Sequence, residues 1–419
     1  LKCAGVFCSR YVKEHMVKHN ADTQHPVALS FSDLSFWCYS CDDYVQSPKL
    51  RAVLKHFQKL KFPEDSKDLE NKMEELAIKE EDDKEEEEDD DEEEEKKKTE
   101  KPSKVPAKDL KARRTALDEN EELKAKVKTT GLDYLDIDDL CEKIKSGKFK
   151  RISLLTGAGI SVSAGIPDFR SPGSGLYSQL EKFKLPYPEA VFTLDFFGQN
   201  PEPFFLLSKQ LYQPEHFKPT PTHWFIRLLQ DKKLLNVNMT QNIDGLEHLA
   251  GLPEDKVVEC HGHFRSAHCT GCQDKISFST MEKHIREGKP LYCKKDSCGK
   301  PCKPDIVFFG EQLPLQFMLT TTQVLPKTDL LIVMGTSLNV FPFAALVDTV
   351  KETCPRVLIN RELTGTISGG FEDDDDNYRD IFLQGDCDDV IHTLVEKLGW
   401  TEEFEALKKS KVKKMGAKQ

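Results

Sequence analysis

The sequence predicts an α/β protein built on a doubly wound parallel sheet, with a small cysteine-bearing module and a separate cysteine-rich N-terminal region. Three observations carry that prediction. From about residue 129 onward, short apolar runs alternate with helix-length stretches. Polar or glycine-containing motifs directly follow several of those runs, where open parallel sheets bind ligands. Cysteines occur in pairs at metal-ligand spacing rather than scattered.

Leu132, Leu135, Ile137, Leu140 and Ile144 approximate a helical stripe ahead of the first strand, Ile152–Leu155. Further strands are expected at Leu234–Met239, Val257-Val258, Ile306–Phe309, Leu330–Met334, Val357–Ile359 and Ile381–Leu383. This spacing gives a Rossmann-like sheet spanning residues 129–405, followed by a basic tail at 406–419. Residues 1–63 form the N-terminal region. Residues 64–128 read as a charged, disordered linker, partly helical near Leu117–Val127. Its core is Glu80–Glu95, fifteen acids and one lysine, which cannot bury apolar surface and repels itself. That block accounts for −14 of a net −12, so the rest of the chain sums to about +2.

The thirteen cysteines cluster with histidines, and no charged-then-apolar signal segment opens the sequence. No run approaches the ~20 apolar residues that span a membrane. A reducing, cytoplasmic environment is expected; the basic segments Lys111–Arg114 and Lys408–Gln419 suit nuclear entry as well, although solvated linker is the commoner reading of such stretches. The sequence starts at Leu1, not methionine, and reads as a fragment. It carries no motif for direct nucleic-acid recognition.

The first strand leads into Thr156–Arg170, TGAGISVSAGIPDFR. Gly157 and Gly159 allow a tight turn and close approach to a phosphate. A dinucleotide fingerprint would place a third glycine where Val162 stands, so glycine spacing alone fits a plain turn nearly as well. Other strand ends carry Thr240-Gln241-Asn242-Ile243-Asp244, Gly335-Thr336-Ser337-Leu338, Asn360-Arg361-Glu362 and Gly385-Asp386-Cys387. Four such ends in one domain favour a ligand site over ordinary capped turns. His261, in His261-Gly262-His263-Phe264, follows the strand at Val257 and suits a general base. His263 competes with it, and spacing does not separate them.

Taken in order, GAGIS, AGIPDFR, TQNID, the HG-x-F element, KPDIVFFGE (Lys303–Glu311), GTSL and GDCDD resemble the sirtuins, NAD-dependent protein deacylases. The flanking Leu185–Ala190 string resembles the class I cytosolic type. The resemblance covers about residues 132–405. It implies NAD contacts by Ala158, Gly159, Ile160, Ser161, Val162, Asp168, Phe169, Arg170, Gln241, Asn242, Ile243, Asp244, Thr336, Ser337, Asn360, Arg361, Glu362 and Cys387. It implies catalytic roles for His261, Asn242 and Asp244, and a docking segment for an extended acetyl-lysine peptide at Val307–Glu311. The implied reaction passes the acetyl group to ADP-ribose and releases nicotinamide. Mono-ADP-ribosyl transfer and a non-catalytic, NAD-sensing adaptor use the same features. Family members that remove succinyl groups carry a Tyr-x-x-Arg pair. Here Tyr177 has no such arginine, so acetyl or longer neutral acyl groups are expected, a buried carboxylate being costly without a partner.

Cys269-x-x-Cys272 and Cys293-x4-Cys298 bracket a twenty-residue insert, close to paired-thiolate zinc spacing. Cys302 is an alternative fourth ligand, and the family pattern favours Cys298. The zinc module is expected at about 262–303. In the N-terminal region, Cys3, Cys8, His15, His19, His25, Cys38 and Cys41 are too dense for core packing, and His15 and His19 share a helical face. With Arg10, Trp37 and Tyr39 they resemble the ubiquitin-specific-protease-type zinc finger. That finger binds the free C-terminal Gly-Gly of ubiquitin, which Arg10 would hold with Trp37 or Tyr39 walling the pocket. Ligands that the family places ahead of Cys3 are missing, so an N-terminally incomplete finger is expected.

Overall fold

The computed structural model describes residues 27–29, 36–38, 43–44, 107–167, 185, 188–213, 215–365 and 377–409, with backbone alone for 27–44 and 107–112. Two compact units are present, divided near residue 104. In the first, β1 (Val27–Leu29), β2 (Phe36–Cys38) and β3 (Asp43–Tyr44) form an antiparallel sheet in that order.

The second unit opens with α1 (Ala107–Glu119) and α2 (Glu121–Thr129). Both lie inside the stretch expected to be linker, yet Leu117 and Val127 are buried in the main core. The helix anticipated near Leu117–Val127 is present and helical structure reaches back to Ala107, because two apolar side chains anchor an otherwise polar helical pair. Helix α3 (Ile137–Lys145) follows; Asp136 caps it by accepting the Asp138 and Asp139 amides, while Lys143 and Lys145 complement its C-terminal end.

The central sheet begins with β4 (Ile152–Thr156). After α4 (Leu194–Gln199), α5 (Glu202–Leu211) and α6 (Pro221–Asp231) come β5 (Leu235–Thr240), α7 (Leu246–Leu249) and β6 (Val257–Glu259). The chain then leaves the sheet for β7 (Gly262–Cys269), β8 (Lys275–Ile276), α8 (Phe278–Glu287), β9 (Leu291–Tyr292) and β10 (Pro301–Ile306). It returns through α9 (Leu315–Gln323) to β11 (Leu330–Met334), β12 (Arg356–Asn360) and β13 (Asp380–Gln384), ending in α10 (Cys387–Leu398) and α11 (Thr401–Lys408).

Six parallel strands order as β13-β12-β11-β4-β5-β6. The chain therefore winds outward in both directions from β4, and the order reverses between β4 and β11. The alternation of side chains shows why both faces are covered. Leu330, Ile332, Met334, Val357 and Ile359 enter one core with α3, α6, α10 and α11. Leu331, Val333 and Leu358 enter another with Phe317, Phe343 and Val347. Each such buried aliphatic contributes about 1.5–3 kcal/mol. At the sheet edge, Arg356 and Asp380, register partners in β12 and β13, pair twice at 2.5 and 2.7 Å, which compensates two buried charges.

One expected strand is corrected. Ile306–Phe309 is not a member of the parallel sheet. Pro301–Ile306 instead pairs antiparallel with β7 and β9 in a four-stranded sheet ordered β8-β7-β10-β9. The apolar run beyond it is buried for another reason: Phe308 joins Phe192, Phe197 and Phe204 in an edge-to-face aromatic cluster. Among the described residues, no helix is long and apolar enough to cross a membrane.

Candidate active site

At the switch between β4 and β11, two strand-end loops interlock. The Gly157 amide donates to the Met334 carbonyl at 3.1 Å and the Gly159 amide to the Gly335 carbonyl at 2.8 Å. A Cβ on Gly159 would stand 2.6 Å from Gly335 Cα, and one on Gly335, where φ is +60°, 2.6 Å from the Ile160 amide nitrogen. The glycines are thus required by loop-against-loop packing, a different reason from approach to a phosphate. No third glycine is needed, since Val162 begins a second single-turn helix that ends at Gly165 with φ +91°.

The TQNID segment crosses these loops. Thr336 Oγ1 donates to Gln241 Oε1 at 2.6 Å. Asn242, 7% exposed, donates from Nδ2 to the Gly157 carbonyl at 3.1 Å and to Ser161 Oγ at 3.2 Å. Ser161 in turn donates to Asp244 Oδ2 at 2.8 Å, and the Leu246 amide donates to Asp244 Oδ1 at 2.9 Å. The amide and carboxyl groups are therefore fixed from two sides before any ligand arrives.

His261 follows β6 at the same end of the sheet. Enclosure of its ring pushes the pKa down to about 4, with the Gln241 backbone opposing the shift. The ring is consequently neutral at pH 7 and able to accept a proton. Its carbonyl accepts the Val307 amide at 2.8 Å. Gly262, at φ +78°, is the only residue type that fits there, because a Cβ would meet the Asp305 carbonyl oxygen at 1.9 Å. The segment after β10 is braced as well. Phe308 donates its amide to Glu311 at 2.7 Å, Lys303 pairs with Glu311 at 2.9 Å, and the Phe309 amide donates to the Phe192 carbonyl at 2.8 Å. His263 is separated from His261 by its place within β7; its Nδ1 is buried without a hydrogen-bond partner.

In the excursion, Cys269, Cys272, Cys293 and Cys298 bring their sulfurs within 4.8 Å of one another, with Cys269–Cys298 at 3.5 Å and Cys272–Cys293 at 3.7 Å. Sulfurs around a tetrahedral zinc stand about 3.8 Å apart, so the donor set fits that ion. Four thiolates leave no position for water, which makes it a structural site. Cys302, buried opposite Cys269 on β10, is not part of the cluster.

Comparison with known proteins matches these features. The Sir2 family profile matches residues 157–342, and the profile of the Zn-finger in ubiquitin-hydrolases and other protein matches residues 1–50. NAD-dependent deacetylase sir2A of Dictyostelium discoideum is 37% identical, across 98% of this chain and 91% of its own length. NAD-dependent protein deacetylase sirtuin-2 of Danio rerio is 49% identical, over 66% of this chain and 76% of its own. NAD-dependent protein deacetylase hst2 of Schizosaccharomyces pombe is 44% identical, over 65% and 79%. The chain belongs to the Sir2 family.

The structure brings the loops carrying Ala158–Val162, Gln241–Asp244 and Thr336-Ser337 together at the switch point. Other residues sit differently. Cys387 is buried at the start of α10 with its thiol donating to the Ile359 carbonyl at 3.6 Å, so any ligand contact there is made by its backbone. Asn360 donates to the Glu362 carbonyl at 2.9 Å, and Arg361 is ion-paired with Asp386. Asp168, Phe169 and Arg170 lie outside the described residues, as do Tyr177, Cys3, Cys8, Arg10, His15, His19, His25, Tyr39 and Cys41 and the side chains of Trp37 and Cys38. Sequence reading missed His223 and Glu247, which are fully buried behind Asp244. The only sequence signal for them was Thr220-x-x-His223 ahead of a helix, a spacing that caps the helix start.

Proposed function

We propose that this sirtuin is an NAD-dependent protein-lysine deacetylase. The observation that carries the reading is the meeting of three things at one sheet end: the braced Asn242–Ser161–Asp244 group, a neutral His261, and a docking segment whose first amide bonds the His261 carbonyl. NAD supplies an activated ribose carbon when its nicotinamide leaves. Asn242 and Asp244 order the polar wall against which that end of the cofactor binds. The Val307–Glu311 segment aligns an extended peptide so that its acyl-lysine enters beside His261. His261 takes a proton at a ring nitrogen, which activates a hydroxyl for attack on the acyl carbon.

The test is mass spectrometry of products from NAD and a panel of acyl-lysine peptides. Acetyl and longer neutral chains should yield free lysine, nicotinamide and acylated ADP-ribose, with succinyl-lysine turned over at least tenfold more slowly. Transfer of ADP-ribose to protein without deacylation would overturn the reading.

The N-terminal finger supports a second element, direction to ubiquitin-bearing proteins. A finger tethered to the catalytic unit raises the local concentration of such substrates without new contacts at the active site. Calorimetry should register binding to ubiquitin but not to ubiquitin lacking its last two glycines. Equal or absent binding of both would remove this element and leave the deacetylase reading intact.

A further inference from the structure

Behind Asp244 lies a group of buried polar side chains that the reaction described above does not use. His223 on α6 and Glu247 on α7 are completely enclosed. A ring nitrogen of His223 and one carboxyl oxygen each from Asp244 and Glu247 lie within 4.8 Å of one another. His223 Nε2 and Glu247 Oε2 are buried with no hydrogen-bond partner.

The ring's orientation is set by the helix start. The Thr220 amide donates to His223 Nδ1 at 3.3 Å, and the Thr220 hydroxyl donates to the Ile160 carbonyl at 2.9 Å. Burial pushes the ring's pKa down to about 3, so it is neutral. With Nδ1 accepting, the ring proton resides on Nε2, which makes no hydrogen bond to either carboxyl group.

Two carboxyl groups this close, one enclosed and the other part-buried, resist both ionising. Their surroundings decide which keeps the proton. Burial pushes Asp244 up, but it accepts one amide at 2.9 Å and one hydroxyl at 2.8 Å, both of which favour its charged form. Glu247 Oε1 meets Asn238 Nδ2 only at 3.5 Å, its Thr240 and backbone contacts are outweighed by burial, and Oε2 is unpartnered.

We propose that Glu247 is a positioning residue that carries the proton of the Asp244–Glu247 pair, keeping Asp244 ionised at the cofactor site. This rests on the reading of Asp244 as part of the NAD site. The other charged groups facing the pair are consistent with it. Glu259 on β6 adds negative charge, itself held by Arg265 on β7 and by His248 at 3.6 Å; the neighbouring Cys260 thiol is pushed up by burial and stays neutral.

The expected signature is in pH. Burial and the Asp244 charge raise Glu247 to about 8. A carboxyl raised in the folded state stabilises fully below its unfolded value and loses that contribution as pH rises through the folded one. Wild type should therefore lose thermal stability as pH rises from about 4.5 to about 8 and level off above that, and its KM for NAD should rise about tenfold between pH 8 and 9. Glu247→Gln, permanently neutral and nearly the same shape, should flatten both profiles. The infrared band of a buried protonated carboxyl in wild type should also vanish with an inflection near pH 8, a measurement that needs no variant. Profiles unchanged in Glu247→Gln, or absence of that band, would overturn the proposal. The stability and infrared measurements require no substrate, so a protein that releases no nicotinamide at any pH would refute the deacetylase reading while leaving this proposal decided on its own terms.

Discussion

His261→Ala is expected to lower kcat/KM for deacetylation by about 10²–10⁴-fold, the usual worth of a positioned general base. The variant should keep its fold, because the ring meets the core only at Phe343, 6.3 Å between centroids, while backbone bonds hold the segment: its carbonyl accepts from Val307, and Cys260 donates to the Thr240 carbonyl at 2.8 Å. Nicotinamide exchange, which precedes the step needing the base, should persist. Near-normal turnover would remove His261 from the mechanism. The pH profile gives a second check. The base form is the neutral ring, held down to about pH 4, so activity dependent on it is lost as pH falls through about 4. An acid limb of kcat/KM with its midpoint near 6.5 would show that the ring is less enclosed than the structure has it.

The second large effect concerns the thiolate cluster. Cys298→Ala should release one zinc per chain and destabilise the protein by well beyond about 3 kcal/mol, since binding energy at a closed thiolate site is folding energy. Cys269 and Cys293 form part of the wall of the aromatic core containing Phe204, Phe264 and Phe308, so the damage should reach the docking segment. Cys302→Ala is the control. It removes one buried sulfur at a cost of ~1–2 kcal/mol and should leave zinc content unchanged. Equal zinc loss in the two variants, measured by metal analysis, would mean that Cys302 takes part in the site.

Much of this was legible in the sequence for physical reasons. Strands buried on both faces read as continuous apolar runs, so Leu330–Met334 and Val357–Ile359 were plain. Strand-end polar residues such as Asn242 and Asp244 stood out because they directly follow an apolar strand in a polar run, Thr240-Gln241-Asn242-Ile243-Asp244. Ile306–Phe309 misled because an apolar run of four looks alike as a strand or as an aromatic core segment, and only tertiary pairing tells them apart. Residues 107–129 were only partly legible, with helix anticipated near Leu117–Val127 but not back to Ala107. Their composition is that of a solvated segment, and the two anchoring side chains, Leu117 and Val127, are too few to show a pattern. Glu247 and His223 were illegible because a buried titratable pair has no spacing signature; it is recognised by the company it keeps in three dimensions.

The excursion opens at Gly262 and closes at Ile306, and these two residues are register partners. The zinc-bearing excursion is therefore a closed detour whose start and finish are stitched together beside the base. Whatever happens to its length, the two ends stay where they are. A longer spacer between the third and fourth thiolates, or a resized helix within the detour, leaves the spacing between His261 and Val307 untouched. The architecture separates the part of the molecule that is free to diversify from the part that must stay in register, and one glycine is the seam.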